Sequence, residues 1–123
     1  MATKILIAED EKALRELYKM RFEMESFQTI FAQDGEETLE QVKKEKPDVI
    51  LLDIMMPKKS GIEVLKELRQ TPDTKNIPIV VLTALPNKKL EEEAAGLNAA
   101  YLVKSQVMPT GVVEAVKEEL SKR

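Results

Sequence analysis

The stretch VILLDIMMPKKSG, residues 49 to 61, decides the fold class. Its first four residues are branched and apolar without any polar alternation, which is typical of a strand buried on both faces of a parallel sheet. Asp53 follows this run directly, at the predicted end of the strand. An ionised carboxylate is costly to bury without a partner. The stretch therefore predicts a core strand and, at its end, a group that pairs with Asp53.

The rest of the chain alternates short apolar runs with longer segments whose apolar residues recur at helical spacing. The predicted strands are residues 4–8, 27–33, 48–53, 78–83 and 100–103. The predicted helices are residues 10–25, 36–45, 61–70, 87–96 and 112–120, with Pro109 to Gly111 before the last one. Strict alternation of this kind predicts one α/β domain over residues 1–123, a doubly wound five-stranded parallel sheet of order 2-1-3-4-5 with the five helices on both faces.

Composition excludes several classes of function. The 123 residues include neither cysteine nor histidine, so disulfides, thiolate catalysis and the commonest transition-metal ligands are ruled out. The net charge is only -3, with acidic and basic residues interspersed, and no basic face indicates nucleic acid or an anionic membrane. No apolar run has the length of a membrane span or of a signal-peptide core. We expect a cytoplasmic protein.

Polar residues follow four of the five predicted strands at the carboxyl edge of the sheet, where ligands bind in such folds. They are Glu9, Asp10, Asp53, Thr83 and Lys104. An Asp after a strand is often only the N-cap of the next helix, and Asp10 could be that. Three carboxylates together, with no arginine in the sequence nearby to pair with them, would nevertheless repel one another strongly.

An all-oxygen cluster with access to water favours a hard divalent cation, and so small a cluster suits Mg²⁺. A carboxylate is ionised at neutral pH and can attack an electrophile without a base. If that electrophile is a phosphoryl group, its negative charge must be offset, and positioning plus charge stabilisation is what phosphoryl transfer mainly requires. Mg²⁺, Lys104 and Thr83 would serve those roles for Asp53.

Four segments of the chain form a specific combination: LIAEDE (6–11), VILLDIMMPKKSGIEVL (49–65), IPIVVLTAL (77–85) and AAYLVK (99–104). Together they resemble the receiver domain of bacterial two-component response regulators, of the single-domain chemotaxis-regulator type with a flavodoxin-like fold. The resemblance implies that Asp53 accepts a phosphoryl group from the phosphohistidine of a sensor histidine kinase or phosphotransfer protein. It also implies that Asp10, Asp53 and the Met55 backbone carbonyl bind Mg²⁺, while Glu9 holds it through water.

The resemblance further implies a switch rather than an enzyme. Thr83 would move toward the phosphoryl group and Tyr101 would turn inward, altering the face formed by helix 4, strand 5 and helix 5. An output protein, or an effector domain outside this chain, would read that face. Tyr101 could equally be a static interface aromatic. Two alternatives for the whole chain are a pseudo-receiver that binds partners without phosphotransfer and a phosphatase with an Asp nucleophile.

The chain departs from the family pattern at two places. Lys104 is followed by Ser105, where most receivers have proline, so the sequence leaves open whether the Lys104–Ser105 bond is cis or trans. Met55 and Leu85 are apolar at positions where the family tunes hydrolysis of the acyl phosphate. Their apolar character predicts a phosphoryl group that is shielded from water and therefore long-lived. Alternatively, the two side chains only pack the loops.

Overall fold

A computed structural model describes residues 2–84 and 86–122 and confirms the predicted alternation of strands and helices. The strands are β1 (Lys4–Ala8), β2 (Gln28–Ala32), β3 (Val49–Asp53), β4 (Ile79–Thr83) and β5 (Ala100–Val103). The helices are α1 (Lys12–Met24), α2 (Gly35–Glu45), α3 (Gly61–Gln70), α4 (Lys88–Gly96) and α5 (Pro109–Ser121). A 3₁₀ turn, Lys104–Gln106, connects β5 to α5.

The five strands form one parallel sheet in the order β2-β1-β3-β4-β5, as predicted. β3 lies at its centre, where Ile50 is paired with Leu6 of β1 on one side and Ile79 of β4 on the other. Every residue of β3 is buried. A central strand between two helical layers has no solvent-facing side, which explains why its sequence is continuously apolar up to Asp53.

Helices cover both faces of the sheet, and successive residues of each strand contribute to opposite layers. In β1, Ile5 and Ile7 pack with α1 and α5, in a cluster that includes Phe22. Leu6 and Ala8 face α2, α3 and α4. Because residues within the strands are buried on both faces, a polar side chain of the sheet can reach solvent at the strand ends, where ligands bind in such folds.

The last helix begins earlier than predicted. The sequence places Pro109 to Gly111 before the helix, whereas α5 starts at Pro109 and Gly111 lies in its first turn. That prediction is wrong because proline is well suited to the first helical position, where its missing N–H is not needed and its fixed φ is already helical. The other helix and strand boundaries agree with the predicted ones to within two residues.

Candidate functional site

The carboxyl ends of β1 and β3 place three carboxylates side by side. Glu9 follows β1 and its backbone N–H donates to the carbonyl of Ala32 at 3.0 Å, so the chain leaves the strand in a fixed direction. Asp53 is the last residue of β3. One carboxylate oxygen from each of Glu9, Asp10 and Asp53 lies within 4.8 Å of the other two. These are residues that the sequence predicts to meet at the strand ends.

The three carboxylates differ in their access to water. Glu9 and Asp53 are 1% and 2% exposed, while Asp10 is exposed. Asp10 does not cap α1, because the N-cap is Glu11 and no side chain forms a capping hydrogen bond there. An oxygen-only donor set, buried on one side and open to water on the other, fits a hard cation such as Mg²⁺ that retains several of its waters.

Lys104 reaches this cluster from the end of β5, which lies two strands from β3 in the sheet. Its Nζ lies 3.0 Å from Oε2 and 3.2 Å from Oε1 of Glu9, and 3.1 Å from Oδ2 of Asp53. Lys104 begins the 3₁₀ turn after β5, and none of the described residues is joined by a cis peptide bond, so the Lys104–Ser105 bond is trans. Serine in place of proline therefore does not prevent the ammonium group from contacting both buried carboxylates.

Burial and charge alter the ionisation of this cluster. The pKa of Glu9 is raised to about 7, first by burial and then by its hydrogen bond and charge interaction with Asp53, although Lys104 lowers it in part. Burial by itself would lower the pKa of Lys104, but the hydrogen bond to Glu9 and the charge of Asp53 raise it overall. The ammonium group is therefore charged at neutral pH and offsets part of the carboxylate repulsion.

Residues 54 to 60, which connect β3 to α3, form the loop beside Asp53 and are called the β3–α3 loop below. The backbone N–H of Met55 donates to Oδ1 of Asp53 at 3.2 Å, so Met55 contacts the carboxylate through its main chain. Met55 as a whole residue is 68% exposed. Leu85, the second apolar residue predicted to shield the site, lies outside the described residues.

Thr83 and Tyr101 lie on the neighbouring strands. Thr83 ends β4, is 4% exposed and follows Leu82, the residue paired with Asp53. Tyr101 is half-buried in β5, and its hydroxyl accepts from the N–H of Asn87 at 3.0 Å and donates to the Asn87 carbonyl at 3.3 Å. Asn87 is the N-cap of α4. Tyr101 thus fixes the start of the helix that follows Thr83.

One arginine lies close to the acidic residues, although it does not pair with their carboxylates. Arg15, in the first turns of α1, donates from Nη1 to the backbone carbonyls of both Glu9 and Asp10, each at 2.9 Å. It therefore holds the main chain of the acidic pair rather than neutralising their carboxylates. Arg15 follows Asp10 by five residues and Glu9 by six, and no sequence pattern signals that its side chain bonds their carbonyls.

Among the described residues, no helix combines the length and apolar character that crossing a membrane requires.

Comparisons with known proteins agree with this geometry. Residues 5–117 match the family model described as response regulator receiver domain. A curated relative, response regulator MprA of Mycolicibacterium vanbaalenii, is 38% identical over 99 residues, which are 80% of this chain and 41% of the relative. The chain thus spans less than half the length of such relatives.

Solved structures are similar across nearly the whole chain. A putative response regulator from Chloroflexus aurantiacus has a TM-score of 0.90 at 30% identity, covering 98% of this chain and 99% of its own. The receiver domain of a signal transduction histidine kinase from Syntrophus aciditrophicus has a TM-score of 0.88 at 28% identity, covering 98% and 92%.

Proposed function

Because the chain belongs to the response regulator receiver domain family, we propose that it is a phosphorylation-dependent signalling switch whose phosphoacceptor is Asp53. The observation that carries the proposal is the environment of that carboxylate. Asp53 is buried at the end of the central strand, yet Oδ2 contacts the Lys104 ammonium at 3.1 Å and Oδ1 accepts from the Met55 N–H at 3.2 Å. The carboxylates of Glu9 and Asp10 complete the site.

The reaction is transfer of a phosphoryl group from the imidazole of a sensor histidine kinase or phosphotransfer protein. An Asp53 carboxylate oxygen forms a bond to phosphorus while the phosphorus–nitrogen bond breaks, and the electron pair of that bond returns to the imidazole. Lys104 offsets the negative charge of the phosphoryl oxygens, and the Thr83 hydroxyl donates to one of them. The chain supplies position and charge for its own modification, so it is a phosphoacceptor rather than an enzyme with separate substrates.

Asp10, Asp53 and the Met55 backbone carbonyl are the proposed ligands of Mg²⁺, with Glu9 holding it through water. The fit rests on the oxygen-only donors and on the exposure of Asp10 beside two buried carboxylates. When bound, Mg²⁺ supplies positive charge that reduces the repulsion between the carboxylates and an incoming phosphoryl group. Lys104 contacts the same two buried carboxylates, so part of this compensation is already present in the chain itself.

The output of the switch is the face formed by α4, β5 and α5. Movement of Thr83 toward a phosphoryl group would displace the segment between β4 and α4, to which the Tyr101 hydroxyl is bound through Asn87. Tyr101 would then turn inward, and a partner that binds the altered face would shift the equilibrium between the two states. The partner is a separate protein or an effector domain, since the curated relatives are longer than this chain.

Intact-mass measurement after incubation with Mg²⁺ and phosphoramidate tests the proposal. We expect a gain of ~80 Da, the mass of one phosphoryl group, that is stable in acid and lost in base, as for a carboxyl phosphate. Asp53→Asn should abolish the gain. Asp73→Asn is the matched control, because Asp73 is exposed and lies after α3, outside the carboxylate cluster.

The two alternative functions give different outcomes. A folded protein that binds Mg²⁺ but never gains mass would be a pseudo-receiver. Release of phosphate from many added esters, with turnover, would indicate a phosphatase. Either result would overturn the proposed switch.

A further inference from the structure

The β3–α3 loop is in contact with a second part of the chain, the turn at Asp34 and Gly35 that begins α2. The Gly35 N–H donates to the Pro57 carbonyl at 3.4 Å, and the Lys59 N–H donates to the same carbonyl at 2.8 Å. Lys58, between them, has a φ of 67°, which a lysine seldom adopts, and its Nζ lies 3.7 Å from Oδ2 of Asp34. The tip of the loop is therefore held against α2 by its backbone.

Only glycine permits this contact at position 35. A Cβ atom built there would lie 2.1 Å from the carbonyl oxygen of Lys59 and 2.5 Å from its Cβ. The φ of Gly35 is not positive, so the requirement is for space and not for a special backbone conformation. A similar approach occurs at the base of the loop, where a Cβ on Gly61 would lie 2.3 Å from the Asp53 carbonyl oxygen. Glycines thus allow close packing at the tip of the loop and at its base.

The loop is the more easily displaced of the two segments. The start of α2 is held by the Asp34 side chain, which accepts from the Glu37 N–H at 2.8 Å. It is also held by Thr38, which is completely buried and whose hydroxyl donates to the Asp34 carbonyl at 2.7 Å. The tip of the loop is open to solvent, since residues 55, 57 and 58 are exposed. A side chain at position 35 would push the loop away from α2 and leave the helix in place.

We propose that Gly35 is a positioning residue for the cation site. Because it has no side chain, the β3–α3 loop can pack against α2, and this packing fixes the main chain at Met55 beside Asp53. The inference rests on the proposed function, in which the Met55 carbonyl is a ligand of Mg²⁺. Gly35 touches neither the cation nor the phosphoryl group. It acts through the loop, as residues outside the ligand set commonly act on a metal site.

The test is Gly35→Ala, with Mg²⁺ affinity measured by calorimetric titration and loop order measured by amide hydrogen exchange in the metal-free protein. We expect affinity to fall by about tenfold, within the range for substitutions that support metal ligands. Exchange of the Lys59 N–H should accelerate by a similar factor. If the variant is poorly folded, wild type and variant are compared in sucrose, which favours the folded state.

Two controls separate positioning from loss of stability. Gly96→Ala adds the same methyl group at a helix position where a Cβ meets nothing within 4 Å, and its affinity should equal that of the wild type. Val116→Ala removes buried atoms from α5, in the hydrophobic cluster that includes no residue of the β3–α3 loop, so it lowers stability but should leave affinity unchanged.

Equal Mg²⁺ affinities in wild type and Gly35→Ala would overturn the inference while leaving the proposed function intact. A loss of affinity in Val116→Ala as large as that in Gly35→Ala would overturn it too, because general destabilisation would then be the cause. A wild-type protein that binds no Mg²⁺ would instead overturn the proposed cation site, and this inference with it.

Discussion

Lys104→Met tests whether one ammonium group makes the burial of two carboxylates tolerable. Methionine retains a long flexible side chain and removes the charge. In the native protein the Lys104 Nζ is 3.0 Å from Glu9 and 3.1 Å from Asp53, whose side chains are 2% and 3% exposed. The substitution leaves both carboxylates buried, with their oxygens no more than 4.8 Å apart.

The expected loss of stability can be worked from these distances. Two unit charges 4.8 Å apart repel by about 3.5 kcal/mol at an effective dielectric constant near 20. This repulsion is an upper bound at pH 7, because Glu9, with a pKa of about 7, is then only partly ionised. Removing one partner of a buried ion pair costs about 3–5 kcal/mol, and the partial exposure of Lys104 favours the lower end. We expect a loss of about 3 kcal/mol in the free energy of unfolding at pH 7, or roughly 10 °C in melting temperature.

The loss should increase with pH, and the sign follows from proton binding. Lys104 lowers the pKa of Glu9, so its removal raises that pKa above the native value of about 7. Above pH 7 the folded variant then retains a proton that its unfolded form has released, whereas the folded wild type releases it. The difference in stability should therefore widen between pH 7 and pH 9, by up to about 1.4 kcal/mol per pH unit.

Urea unfolding of metal-free protein, followed by circular dichroism at pH 7 and pH 9, measures these quantities. Lys117→Met is the matched control, since Lys117 pairs with Glu25 on the exposed surface and its loss should barely move the midpoint. A Lys104→Met variant as stable as this control at both pH values would refute the assignment of Lys104 as the cation that holds the two buried carboxylates together.

Two further predictions concern the acidic residues themselves. Asp10→Asn relieves repulsion at the exposed edge of the cluster, so the metal-free protein should melt a few degrees higher. Its Mg²⁺ affinity, measured by calorimetry, should fall by about tenfold or more. A lower melting temperature without metal would contradict the argument that the three carboxylates repel one another. The raised pKa of Glu9 means that the folded state holds a proton more tightly than the unfolded state, so metal-free stability should fall as pH rises from 4.5 to about 7, by up to about 3 kcal/mol. Urea unfolding of wild type and Glu9→Gln across that range isolates the effect, which the Gln variant should lack, and parallel pH profiles for the two proteins would rule it out.

The sequence predicts the fold well because its dominant signals are local. The continuous apolar run before Asp53 and the helical spacing of the intervening segments each follow from which residues the local strand or helix buries. Parallel strands joined by helices admit few topologies, and the order of the strands follows from that restriction. The boundary error at Pro109 is also local, since proline can either precede a helix or begin one.

The candidate site is predictable only in part. Strand ends place Glu9, Asp10, Asp53, Thr83 and Lys104 at one edge, because parallel strands all finish there. The sequence does not determine that Lys104 contacts both buried carboxylates from a 3₁₀ turn with a trans bond, because that depends on the path of the backbone after β5. Nor does it reveal that Arg15 donates to the carbonyls of the acidic pair.

The amino-acid sequence alone predicts the order of the strands, the residues that supply the carboxylates and the chemistry that an oxygen-only cluster can support. The folded chain shows which groups compensate the buried charge and why a side chain does not fit at position 35, since a Cβ there would lie 2.1 Å from the carbonyl oxygen of Lys59. The difference lies in the sequence separation of the interacting residues. Burial patterns and helix spacing involve residues close together in the sequence, whereas charge pairing and close backbone approach depend on distances between segments far apart in the chain.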